Sequence, residues 1–308
     1  MRSREHPNLA VIIPFVIFTG IWGSTWIVIR DQLGSVPPQW SVTYRFIIAA
    51  AAMAVVARIR SERLKLDSGA LKVVLFLGLF QFFVNFNAVY LAERHITSGL
   101  VATVFALLVI PNTLLGWAFL GQRPTGRFVL GSLAAVAGMA LLFVHELQEH
   151  PGQTSAILTG IGLTLIGMTG ASAANVFQAR DKVRAYPLFA LLAWSMGMGA
   201  LIDAAFALLF AGPPVIEYRL GYWAGVLYLA LAASAIGFSL YFPVVRKIGP
   251  AKAAYSSVLV PIIAMGFSTA LEGYRWTPLA LAGAVLALGG MLGALSRSRS
   301  LVTAPAAD

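Results

Sequence analysis

Apolar residues run along this chain in ten blocks. They are Leu9 to Ile29, Pro38 to Ala57, Leu71 to Leu91, Ser98 to Leu120, Phe128 to Val144, Ala156 to Gln178, Tyr186 to Phe210, Gly221 to Val244, Ala251 to Leu271 and Thr277 to Leu295. A helix crossing a bilayer needs roughly 20 such residues. The connections are short, rich in Gly, Pro and charge, and too small to hold a soluble domain. The pattern predicts an all-α integral membrane protein of ten transmembrane helices. The first block is longer than the apolar region of a typical signal peptide. No small-x-small cleavage site follows it before Arg30, so it is expected to stay as the first helix.

The pattern repeats. Pro111 and Gly116 recur at an offset of 150 as Pro261 and Gly266, Phe105 as the aromatic Tyr255, and Gln122 as Glu272. After a two-residue insertion, Thr125, Gly131, Gly138 and Met139 recur as Thr277, Gly283, Gly290 and Met291. A weaker match sets Gly20, Gly23 and Thr25 against Gly167, Gly170 and Ser172. Self-similarity of this kind divides the chain into two related five-helix units, residues 1–150 and 151–308. Five helices is an odd number, so the second unit is expected to enter the membrane inverted. In secondary transporters built this way the substrate site lies near the midplane, where the halves meet.

Charge gives the orientation. Arg30, Arg94, Arg219 and Arg275 fall in connections on one side and Arg45 falls inside the second block. The other Lys and Arg, out of 22, fall on the side of the termini. By the positive-inside rule both termini are cytoplasmic. The net charge of +10 then has a topological origin and is no argument for nucleic acid. With 59% hydrophobic and 11% charged residues and a mean hydropathy of +0.81, the chain lies outside the range of soluble domains. The absence of Cys removes disulfides, thiol nucleophiles and thiolate metal sites.

A ten-helix chain whose fourth and ninth helices read small residues, Pro, Gly, then amide or acid, followed by Thr, Gly and Gly-Met, resembles the drug/metabolite transporter superfamily, specifically its EamA-type exporters. Glu272 stands where that family usually has Glu, and Gln122 departs from it. Arg45, in the setting TYRFIIAA, matches the Arg-Phe of the family's second helix. The run Trp22-Gly23-Ser24-Thr25 leans the likeness toward an aromatic amino-acid exporter. The resemblance implies amino-acid export across the inner membrane and draws Trp22 into the cavity.

The residues themselves supply further candidates. Arg45 and Asp203 are the fully ionisable residues expected well inside the membrane, each about 10–12 Å deep at 1.5 Å per residue. Either Arg45 attracts a substrate carboxylate or Asp203 titrates during transport, or else the two neutralise each other or Arg45 snorkels and caps backbone carbonyls; this last pair of readings is favoured. In the third block Gln81 and Asn85 share a helix face, with Phe82, Phe83, Phe86, Asn87 and Tyr90 around them. That mixture suits a ligand with an apolar ring and a polar end, or equally interhelical hydrogen bonding and packing. Thr164, Met168, Ser172 and Asn175 form a face of the sixth helix. Thr19, Trp22 and Trp26 form one on the first, with Trp26 expected to anchor at the interface. The eighth helix offers Ser234, Phe238 and Tyr241, and the ninth Tyr255, Ser256 and Ser257. Pro111 and Pro261 predict matched kinks suited to a hinge.

Other chemistry finds little support. All four His (His6, His95, His145 and His150) fall in expected loops or the N-terminal tail, and no HExxH, Walker or GxGxxG motif occurs. The expectation is a secondary transporter exporting aromatic and other neutral amino acids by alternating access. It needs no cofactor or metal, has a small molecule and the lipid bilayer as partners, and exists as monomer or homodimer. The alternatives are export of another metabolite or a cationic drug, and a membrane enzyme acting on lipid.

Overall fold

The computed structural model describes residues 9–34, 36–65, 67–249, 253 and 256–295. Among these residues all regular structure is helical. The main helices are α1 (Leu9–Asp31), α2 (Pro38–Ile59), α3 (Ser68–Ala92), α4 (Ser98–Leu120) and α5 (Gly126–Glu149). They continue with α6 (Thr154–Gln178), α7 (Leu188–Phe210), α8 (Leu220–Ile248), α9 (Ser256–Leu271) and α10 (Pro278–Leu295). The first eight are long and apolar enough to cross a membrane; the apolar stretches of α9 and α10 are shorter. Leu130, Leu209 and Phe210 are exposed on the outer surface of the bundle. Lipid accommodates such side chains at no cost.

Local chemistry sets the helix ends. Thr125 Oγ1 accepts from Phe128 N at 3.2 Å to cap α5, and Thr277 Oγ1 accepts from Ala280 N at 3.2 Å to cap α10. The repeated Thr is therefore a pair of N-caps, each worth about 1 kcal/mol. Asp67 caps α3 by accepting from Ala70 N at 2.7 Å. Gly121 closes α4 at φ 70°, a left-handed position that favours glycine. The fifth helix outruns its apolar block. His145 sits on α5 rather than in a loop, buried, with Nδ1 3.0 Å from Thr277 Oγ1 and its ring against Tyr274. Packing against the α9–α10 connection carries the helix past the last apolar residue.

The repeated glycines hold α5 against α10. A Cβ on Gly131 or Gly138 would collide with the backbone of α10 at Gly290, Ala294, Gly283 and Ala287; a Cβ on Gly283 or Gly290 would collide with α5. This close approach has many dispersion contacts in place of side-chain bulk. Gly131, Gly138, Gly283 and Gly290 are thus internal packing positions of the bundle. Elsewhere α2 packs on α7. Helix α1 packs on α8 and α9, α6 packs on α3 and α4, and α2 and α7 lie against α8 and α3 respectively.

Among the described residues, three helices depart from α geometry. Gly78–Val84 of α3 and Tyr228–Ile236 of α8 are π-helical, and they begin 150 residues apart. Such segments insert a residue into the i→i−4 ladder and commonly mark functional positions. A 3₁₀ turn, Ala106–Leu108, interrupts α4 just before Pro111.

Candidate functional site

Between α1, α2, α3, α4, α6, α8 and α9 lies a cavity of about 110 Å³. Its wall is mostly apolar and aromatic: Trp22 and Trp26 from α1, Phe86 from α3, Phe105 from α4, and Phe238 and Tyr241 from α8. Arg45, Gln81, Asn85 and Asn175 supply the polarity, with Thr25 and Ser256 beside them.

One π segment enters this wall and the other holds two of its residues in place. The segment in α3 carries Gln81 and delivers Asn85 one turn later. That in α8 carries Ala233 and Ser234. Ala233 O accepts from Trp22 Nε1 at 3.0 Å, and Ser234 Oγ accepts from Arg45 Nε at 2.9 Å. Trp22 is then fixed on three rings, 5.2 Å from Phe18, 5.4 Å from Phe238 and 4.9 Å from Tyr241 between centroids. Gly237 makes room for it: a Cβ there would fall 2.6 Å from Trp22 Nε1.

Arg45 is 2% exposed, and its guanidinium carbon stands 4.4 Å from the centroid of the Phe86 ring. Its Nη1 has no hydrogen-bond partner, and neither do Gln81 Oε1 and Asn85 Oδ1. Asn175 Nδ2 makes a long 3.5 Å contact to Asn112 Oδ1, linking α6 to α4. The three amides of α3 divide by helix face. Asn87 turns away from the cavity and donates to Asp203 Oδ1 at 2.7 Å, the interhelical bond that one reading of the sequence offered for the whole group. Gln81 and Asn85 face the cavity and make no such bond.

Trp22, Gln81, Asn85, Asn175, Tyr241, Arg45 and Pro261 thus converge on one cavity. Of the others, those among the described residues do not reach its wall. Phe83 lies two residues from both amides, hence on the far side of the helix, where it packs on Phe206 of α7 at 5.3 Å. Met168 and Ser172 are buried in α6, which meets the wall through Ala171 and Asn175. Pro111 is half-buried behind the 3₁₀ turn. Tyr255 lies outside the described residues. Asp203 is fully buried between α2, α3 and α7 and also accepts from Thr43 Oγ1 at 3.0 Å. It does not pair with Arg45. Thr43 and Arg45, two residues apart on α2, point to opposite sides, so the favoured mutual neutralisation fails on helix geometry.

Trp26 also departs from expectation. It is 8% exposed and stands on the cavity wall 5.7 Å from Phe105, not at an interface. Phe105 itself could have been found from the sequence, because the repeat aligns it with Tyr255.

Beyond Ile29, at one end of the cavity, a polar cluster ties four helix ends together. Arg30 Nη1 donates to the Glu93 carbonyl, and Arg30 Nε lies 3.6 Å from Glu272 Oε1. The Glu272 carboxylate also accepts from Ser98 N, at 3.2 Å, and from Ser98 Oγ. The Glu93 side chain is fully buried there, with neither carboxyl oxygen hydrogen-bonded. Burial first, and the neighbouring Glu272 charge second, push this carboxyl well above its ordinary value.

A helical bundle closed around an aromatic and amide-lined cavity is the architecture of a membrane carrier. The profile of the EamA-like transporter family matches residues 9–144 and again 158–296, and the chain belongs to that family, within the drug/metabolite transporter superfamily. It is a multi-pass protein of the inner membrane. The chain is similar to the "Probable amino-acid metabolite efflux pump" of Escherichia coli K12, 25% identical over 94% of each chain. It is likewise similar to the "Probable terminal-alkyne amino-acid exporter" of Streptantibioticus cattleyicolor, 26% identical over 88% of each. A solved crystal structure shares the fold, with a TM-score of 0.69 at 19% identity over 92% of this chain and 96% of that one.

Proposed function

We propose that this protein is a secondary transporter that exports neutral amino acids, aromatic ones among them, by alternating access at the cavity between its two halves. The observation that carries the reading is the cavity wall: an aromatic lining beside Arg45, Gln81 and Asn85, each of which keeps one polar atom without a partner inside the protein. The likeness to a probable amino-acid metabolite efflux pump and a probable terminal-alkyne amino-acid exporter supports the substrate class. The Trp22, Phe238 and Tyr241 rings favour an aromatic side chain, since aromatic pairs contribute about 0.5–1.5 kcal/mol beyond area burial.

Several features support two inverted five-helix repeats, residues 1–150 and 151–308, with both termini cytoplasmic. The π segments of α3 and α8 begin at equivalent positions, and the matched Thr and Gly residues do the same work in α5 and α10. The contacts of α1 with α8 and α9 have their counterparts in those of α6 with α3 and α4. In that orientation the Arg30, Glu93 and Glu272 cluster closes the external end of the cavity. Transport requires it to open, and Pro111 and Pro261 are placed to let α4 and α9 bend.

The test is uptake of labelled phenylalanine and threonine into liposomes carrying the purified protein, with and without a pH gradient. Saturable uptake that excess unlabelled amino acid blocks is the expected result. Folded protein that moves neither, nor any other neutral amino acid, would remove the substrate assignment and favour another metabolite.

A further inference from the structure

Three polar groups at the cavity wall are left unpaired in a way that describes a ligand. Arg45 is buried, spends Nε on Ser234, and its guanidinium also meets the Tyr90 hydroxyl. Phe86 holds the guanidinium in place from one side. Nη1 is left without an acceptor, and no carboxylate among the described residues hydrogen-bonds or ion-pairs with Arg45. A buried cation in this condition costs several kcal/mol unless an anion or water meets it. On α3, Gln81 and Asn85 leave carbonyl oxygens without a donor. A carboxamide with an empty oxygen is an acceptor for an ammonium group.

We infer that Arg45 anchors the carboxylate of the substrate while Gln81 and Asn85 receive its ammonium group, so that the site selects zwitterions bearing a neutral side chain. This rests on the exporter reading above and deepens it. One donor site of positive charge and two neutral acceptors match a molecule that carries one carboxylate and one ammonium. The rings of Trp22, Phe238 and Tyr241 then take up the side chain. A second charge on that side chain would find no partner among those rings, which disfavours dicarboxylic and dibasic amino acids. A cationic drug would meet Arg45 with like charge. The arrangement therefore selects against the cationic-drug alternative by repulsion as well as favouring amino acids by contact.

The experiment is calorimetric titration of the purified protein with three compounds of one shape: phenylalanine, phenethylamine, which lacks the carboxylate, and 3-phenylpropanoate, which lacks the ammonium. Each hydrogen bond to a charged group is worth about tenfold or more in affinity. Phenylalanine is expected to bind at least about tenfold more tightly than either analogue. Arg45→Gln is expected to abolish the preference over phenethylamine, and Asn85→Leu to reduce the preference over 3-phenylpropanoate. Phenethylamine or 3-phenylpropanoate binding as tightly as phenylalanine to the unaltered protein would overturn the assignment, without recourse to a variant that fails to fold. If phenylalanine is also transported in that case, the exporter reading survives and this inference alone falls. If no amino acid binds or moves, both fall.

Discussion

Arg45 and Asp203 sit on opposite sides of α2, each in its own polar setting: Arg45 Nε donates to Ser234 on α8, while Asp203 accepts from Thr43 on α2 and Asn87 on α3. A charge of each sign within one apolar bundle invites pairing, and the helix geometry forbids it. The consequence is a division of labour. Arg45 faces the cavity with capacity to spare, whereas Asp203 is satisfied inside a three-helix contact and takes no part in the cavity wall.

Asp203→Asn is accordingly expected to leave substrate affinity within about twofold, because nothing on the cavity wall changes. Its cost appears in stability, about 1–3 kcal/mol for disturbing buried hydrogen bonds. Titration calorimetry and thermal unfolding separate the two effects. A large loss of affinity at unchanged stability would show that Asp203 communicates with the site.

Beyond Ile29, at one end of the cavity, Glu272 serves Arg30 and the Ser98 backbone and hydroxyl together. Glu272→Gln removes the charge and retains one acceptor. The expected result is a loss of about 1–2 kcal/mol, the range for charge-assisted hydrogen bonds after allowance for the exposed Arg30 partner. A double-mutant cycle with Ser98→Ala should show coupling of about 1 kcal/mol. Additive effects would mean that the contact contributes nothing as a unit.

Glu93 sets a pH dependence. Burial, then Glu272, raises its carboxyl well above the usual range, against the pull of Arg30 and Arg45. The folded protein therefore keeps a proton that the unfolded chain gives up in the ordinary carboxylate range. This favours the fold at low pH and is lost as pH climbs toward the folded-state value. Glu93→Gln fixes the neutral form. The difference in unfolding temperature, variant minus parent, should be near zero in acid and grow as pH rises. A constant difference across pH would refute the buried neutral carboxyl.

The glycines of α5 and α10 give a contrast that side-chain chemistry alone would not. Gly138→Ala drives a Cβ into the backbone of Ala287 and should cost about 1–3 kcal/mol. Gly289→Ala, with nothing near its Cβ, should gain up to about 1 kcal/mol from helix propensity. Thermal unfolding of the pair decides it, and equal effects would contradict the close approach of the two helices.

Much of this was legible in the sequence. Apolar block length marked the helices, and the recurring Thr and Gly marked positions that the structure shows to be N-caps and a close helix contact. The helix period placed Gln81 with Asn85, and the cavity receives both. Three things were not legible. The π segments of α3 and α8 leave no compositional trace, yet one supplies Gln81 to the wall and the other supplies Ala233 and Ser234 to hold Trp22 and Arg45. Trp26 and an interface tryptophan look alike until neighbours are known, because one ring suits both lipid headgroups and Phe105. The separate fates of Asn85 and Asn87 depend on what α6 and α7 bring to two faces of one helix, and a single helix does not encode that.

The most direct test of an amino-acid carrier working from this cavity is counterflow. Liposomes containing the protein are loaded with unlabelled phenylalanine and diluted into a trace of labelled phenylalanine, with Arg45→Gln run in parallel. A transient accumulation of label above equilibrium, present in the parent and lost in the variant, is the expected result. Label that equilibrates without overshoot in folded parent protein, or an overshoot untouched by the loss of Arg45, would contradict it.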